Sequence, residues 1–195
     1  MKKVVVSILI LGVVLAVALI GAIALFTDQA TNPGNTFSTG TVDLTIDPTI
    51  AMFTVSNMAP GDVQYDGIQL TNSGSLDLRY AMTTTADGNS TLDGQLTLTI
   101  DVVTGIGVDN QWYTSDDVVG EANIYGPDGA LSSAAIGDAA QGNQTGDRIL
   151  VATTGSERFR FTVELPLTTG NSFQNTTCTV AFVFDAEQTI HNPEP

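Results

Sequence analysis

The stretch Leu96-Thr97-Leu98-Thr99-Ile100-Asp101-Val102 alternates apolar with polar residues at every step. Successive side chains of a β-strand point to opposite faces, so a period of two gives this segment one apolar wall and one wet wall. The same period recurs outward in both directions. Val42, Leu44 and Ile46 alternate with Thr41, Asp43 and Thr45, and Leu76, Leu78, Tyr80 and Met82 repeat the pattern. Nearer the C-terminus Phe159, Phe161, Val163 and Leu165 alternate with Arg158, Arg160, Thr162 and Glu164, and a last run reaches from Cys178 to Phe184. Turn chemistry stands between the runs. Ala59-Pro60-Gly61-Asp62 suits a type II turn, and Asn72-Ser73-Gly74, Asp87-Gly88 and Asp93-Gly94 are further turn signals. Helical periodicity is almost absent after residue 24. The pattern predicts an all-β fold, an antiparallel β-sandwich of jelly-roll type over residues 41–190 with a tail at 191–195.

Between Thr104 and Asp147 the alternation dissolves into Gly, Asp, Asn and Ala, interrupted by apolar pairs such as Trp112-Tyr113, Val118-Val119 and Ile124-Tyr125. We read residues 104–147 as an insertion. So long a stretch without regular structure is unusual in a compact domain, so a short hairpin and a helical turn near residues 132–140 are expected in it. Residues 30–40 are likewise polar and turn-rich, and Pro33-Gly34 separates whatever precedes it from the first clear strand.

The length of 195 residues suits one domain with short appendages. Lys and Arg number 6 against 21 Asp and Glu, a net charge of −15. Nucleic acid is therefore a poor partner, since binding phosphates requires basic residues to displace counterions. The few basic residues are also uneven. Lys2 and Lys3 precede an almost wholly apolar run over residues 4–24, and no lysine follows them. As a helix that run is about 31 Å long, enough to cross a bilayer core. A retained anchor and a cleaved signal are both open, and two features favour cleavage. Ala22-Ile23-Ala24 is a small-x-small site, and polar Thr27-Asp28-Gln29 follows without a basic stop-transfer cluster. Cleavage after Ala24 makes residues 1–24 a signal peptide and leaves a secreted chain of charge −17, which touches the membrane only through the N-terminal helix before processing.

The residue inventory excludes much chemistry. The one histidine, His191, stands beside a proline near the C-terminus, which leaves Ser-His-Asp and Cys-His machinery without a held imidazole. No H-E-x-x-H site or ordinary zinc centre can be assembled from it. Cys178 is the only cysteine, shares a strand face with Val180, Phe182 and Phe184, and reads as a small buried hydrophobe. Gly105-Ile106-Gly107 lacks the third glycine of a nucleotide motif. No catalytic residue is expected and no cofactor, with one candidate exception. Asp109, Asp116, Asp117 and Glu121 form the densest acidic group, and hard oxygen ligands at such spacings suit Ca²⁺ in an irregular loop, although no EF-hand spacing is present. Asn89, Asn143 and Asn175 each open a glycosylation sequon.

Several strings together resemble the TasA/camelysin family of exported fibre proteins: Ala24-Leu25-Phe26-Thr27-Asp28, residues 36–44, residues 55–62, residues 70–76 and residues 179–188. The resemblance runs from the signal to about Met82 and again from about Phe159 to Gln188. It implies a jelly-roll subunit released by a signal peptidase and assembled into extracellular fibres, such as those of biofilm matrices and the related archaeal bundling pili. In such fibres the N-terminal segment of one subunit enters the sheet of the next, so the partner is a second copy in a head-to-tail polymer. Here the donor segment is residues 25–40, with Leu25, Phe26 and Ala30 as its apolar anchors.

Two other readings stand beside this one. Camelysin members are described as metallo-endopeptidases, an activity for which this sequence has no zinc-ligand set. A membrane-anchored surface module that binds glycans or a partner rests on Trp112-Tyr113 and the acidic loop, aromatics that more often serve local packing.

Overall fold

The computed structural model describes residues 2–21, 36, 38–53, 57–86, 91–142 and 145–189, with side chains from Lys3 to Val13 in the first of these segments. The chain divides into two units, Met1–Ser38 and Thr39–Pro195. The first holds helix α1, Lys2–Gly21, which after its two lysines is an almost wholly apolar run with Gly12 as its one interior glycine. Among the described residues no helix is long and apolar enough to cross a membrane, and the run read as a spanning segment extends beyond them.

The second unit is built from antiparallel strands. In chain order they are β1 Leu44–Asp47, β2 Val63–Asn72, β3 Leu78–Ala86, β4 Thr97–Gly105, β5 Val118–Ala130, β6 Ala135–Ile136, β7 Arg148–Leu150, β8 Ser156–Glu164 and β9 Val180–Gln188. One sheet runs β1-β2-β8-β4-β5. In the other, β3 is central. It pairs along its whole length with β9 and, on its opposite edge, with the short β6 and β7. The expected all-β, antiparallel sandwich is the observed one.

Alternation sets what each strand buries. Phe159, Phe161 and Val163 of β8, with Leu98 and Ile100 of β4 and Ile68 and Leu70 of β2, form the inner wall of the first sheet. Leu78, Tyr80 and Met82 of β3 face them, and the sheets meet where the Phe161 and Phe182 rings lie edge to face at 4.8 Å. Burying aromatic side chains this size stabilises by about 1.5–3 kcal/mol each.

Turn readings hold where they can be followed. Gly61 has φ +94°, and the Asp62 amide donates to the Ala59 carbonyl at 2.9 Å, as a type II turn requires. Asn72 does more than turn the chain. Wholly buried, it donates through Nδ2 to the Leu76 and Leu150 carbonyls, while its Oδ1 accepts from the Gly74 amide. That side chain ties the end of β2 to β7 of the opposite sheet.

The stretch 104–147 is not the short hairpin expected. It carries β5, a 13-residue strand that pairs with β4 through four register shifts, followed by a 3₁₀ turn at Leu131–Ser133. Bulges place extra residues on one strand and erase a strict period, which is why β5 does not read as a strand. Strand β2 is also missing from the alternation, because Asn72 occupies an inward position and Gly67 an outward one. A Cβ built on Gly67 lies 2.1 Å from the Phe159 carbonyl oxygen and 2.2 Å from the Tyr113 ring. Gly67→Ala is expected to cost about 1–3 kcal/mol by forcing both apart, read as a lowered thermal midpoint.

Candidate functional site

A sheet edge presents unpaired N–H and C=O groups, and this sandwich treats its edges unequally. Strand β1 covers one edge with four residues. Strand β5 bends its edge with bulges. Strands β6 and β7 are two and three residues long. Strand β9 differs from all three: nine residues in unbroken register with β3, and among the described strands no partner on its other side.

Beside that edge lies a groove of about 1050 Å³. It runs between the two sheets and is lined by Ile46, Met52, Phe53, Ile68, Phe182 and Phe184 among others. Phe182 and Phe184 point inward yet are only half-buried, because nothing among the described strands completes the second sheet beyond β9. The facing edge is also incomplete. Strand β1 pairs with residues 69–72 of β2 and leaves residues 63–68 unpaired on that side among the described strands. An apolar trough flanked by two such edges has the chemistry of a site for an extended peptide: backbone groups supply hydrogen bonds, and alternate side chains fill the trough.

The other candidates distribute as follows. Ala22, Ala24, Leu25, Phe26 and Ala30 lie outside the described residues, as do Asn89, Asn143 and His191. Asn175 is exposed, has φ +57°, and stands on the rim of the groove. Cys178 lines the same groove, half-buried against the core.

The four acidic residues of the candidate calcium loop are not brought to one point. Asp116 accepts from the amides of Val108 and Asp109 and from the Thr114 hydroxyl, Asp117 caps the Thr114 amide, and Glu121 reaches Arg148 at 2.9 Å. Among the described residues no three His, Cys, Asp or Glu side chains are grouped to hold a metal ion. Asp116 instead organises the loop. The Thr114 hydroxyl, and after it the amides of Asp109 and Val108, hold its carboxyl below the ordinary value of 3.8. A depressed carboxylate stabilises the fold above its unfolded value and loses that contribution as pH falls through the folded one. Trp112, the only tryptophan, sits in this loop, so its emission should change in a step below about pH 4. Asp116→Asn should abolish that step.

The loop is a strap across the outer face of the first sheet. Trp112 stacks on the Arg158 guanidinium at 4.5 Å, Tyr113 covers Gly67, and Arg160 Nη1 donates to the Thr114 carbonyl. Trp112-Tyr113 thus serves local packing. Burial pushes the Tyr113 hydroxyl above its ordinary value. At the far side of the sandwich Glu157 accepts from Tyr80 and from Arg148, a polar link between the sheets that the sequence reading missed, since its members lie up to 77 residues apart. Burial first, then the Glu157 charge, raises the Tyr80 hydroxyl far above its usual range.

A family model described as camelysin metallo-endopeptidase matches residues 1–192. The chain belongs to the camelysin family. The resemblance carried by the N-terminal and C-terminal strings is thereby borne out. No curated protein matches the chain. A metallo-endopeptidase needs a catalytic metal, and the donor set here does not suit one. The whole sequence has one histidine and one cysteine, and Cys178 sits in an apolar wall.

Proposed function

We propose that this camelysin-family chain is a structural subunit of an extracellular fibre and has no peptidase activity. The groove beside β9 is the acceptor, and residues 25–40 of the next copy are its occupant. The observation that carries this reading is the contrast among the edges. Short or bulged strands blunt three of them, while the fourth is regular, has no partner on its outer side among the described strands, and lies beside half-buried aromatic side chains. The occupant follows from the chain itself. More than twenty residues separate the end of α1 at Gly21 from the start of β1 at Leu44, a tether that spans up to about 70 Å when extended. A donor given to the next copy, rather than kept by its own, makes the contact head-to-tail, and such a contact propagates.

Processing after Ala24 by a signal peptidase frees the donor and releases a secreted subunit, so cleavage is the assembly switch. The acidity of the released chain keeps it soluble before it polymerises. Electron microscopy of the chain beginning at Leu25, held at high concentration, tests the reading. Filaments are expected, and a chain that remains monomeric on gel filtration at every concentration would overturn it. A peptidase assay on the same material, with and without chelator, should show no cleavage above background.

A further inference from the structure

The segment that follows β1 forms part of the groove's wall. Residues 48–53 contribute Pro48, Ile50, Met52 and Phe53 to its lining. Met52 and Phe53 are half-buried against the hydrophobic core, whereas Ile50 is 77% exposed. They begin where β1 stops pairing with β2. Their attachment is unusual for a segment that touches a core. Among the described residues, 48–53 make no hydrogen bond, backbone or side chain. Apolar contact alone therefore holds them against the groove.

The geometry points to a displaceable plug: in the free subunit Met52 and Phe53 shield part of the acceptor groove, and the incoming donor strand expels them. This rests on the acceptor reading above and adds how that site is regulated. The exchange is physically favourable in one direction. The plug forfeits only apolar contact on leaving, and the donor replaces that contact while adding a ladder of backbone hydrogen bonds to an open edge. A groove left bare would expose aromatic surface to any passing chain, and a plug without hydrogen bonds shields it while still yielding. The plug thus sets a kinetic threshold for polymerisation and leaves the end state unchanged.

The test uses the chain beginning at Leu25, carrying Cys178→Ala and Met52→Cys, with an environment-sensitive dye on the new thiol. Dye emission shifting to the red as filaments form, with the label leaving its apolar seat, is the expected result. Filaments that form while the label keeps its monomer emission would overturn the plug and leave the acceptor reading standing. The wild-type chain beginning at Leu25 and the unlabelled Cys178→Ala chain are run alongside, and failure of the wild-type chain to form filaments would overturn both. A second variant, Phe53→Ser, should shorten the lag about tenfold, the factor that corresponds to about 1.4 kcal/mol of lost plug contact. A lengthened lag in a folded Phe53→Ser protein would make residue 53 part of the docked state and refute expulsion.

Discussion

Removal of residues 25–31 from the processed chain is expected to abolish filaments while leaving a folded monomer. All nine described strands lie within Thr39–Pro195, so the deletion removes none of them. It takes instead the proposed donor. Even four lost backbone hydrogen bonds at about 1 kcal/mol each, together with the burial of Leu25 and Phe26 at about 2 kcal/mol each, amount to several kcal/mol per contact. Entropic costs of association absorb part of this, and what remains still raises the concentration needed for polymerisation by about a thousandfold or more. The thermal midpoint of the monomer should move by no more than about 2 °C, since no described core contact changes. A synthetic peptide of residues 25–36 should also cap filaments of the intact chain and halt growth, because it occupies the groove without offering one of its own. Undiminished filaments from the shortened chain would rule the donor out.

The second large effect concerns the sheet that carries the strap. Arg160 of β8 and Asp101 of β4 stand opposite one another in register. Arg160 Nη2 donates to Asp101 Oδ2 at 2.7 Å, with side chains 10% and 8% exposed, and Asp101 Oδ1 accepts from the Asn123 amide at 2.8 Å. Arg160→Ala leaves a buried carboxylate without its counter-charge, a change that costs about 3–5 kcal/mol. For a domain of this size the thermal midpoint should fall by about 10 °C. Arg160 also holds the Thr114 carbonyl, so the emission of Trp112 should shift toward that of a solvated indole. Adding Asp101→Asn to Arg160→Ala should recover part of the loss, since an uncharged amide needs no partner cation. A fall of less than about 2 °C for Arg160→Ala would place the pair among exposed salt bridges of little worth.

The legible strands share one property. In β4 and β8 the inward positions, Leu98 and Ile100 or Phe159, Phe161 and Val163, are all large and apolar, so alternation survives in the linear order. Strand β2 hides because its outward Gly67 makes room for Tyr113 and its inward Asn72 is satisfied by the carbonyls of Leu76, in the turn after β2, and Leu150, in β7. Both residues answer to neighbours that arrive from elsewhere in the chain. The candidate groove was not legible in the sequence, and the proposed donor residues Leu25, Phe26 and Ala30 lie outside the described residues. Cys178, Phe182 and Phe184 mark a strand face in sequence, and nothing in their order says that the face is half-covered.

Local alternation and turn residues were thus enough for an all-β antiparallel chain, because each is a property of a few neighbouring residues. Which edge stays open depends on pairings such as Leu78 with Gln188 and Ser156 with Thr71, and on a β1 that stops after four residues. Those contacts join residues from about 85 to 110 positions apart, and no window of sequence contains both partners. The groove exists only once the sheets have met, since a cavity is a relation between walls and belongs to neither one.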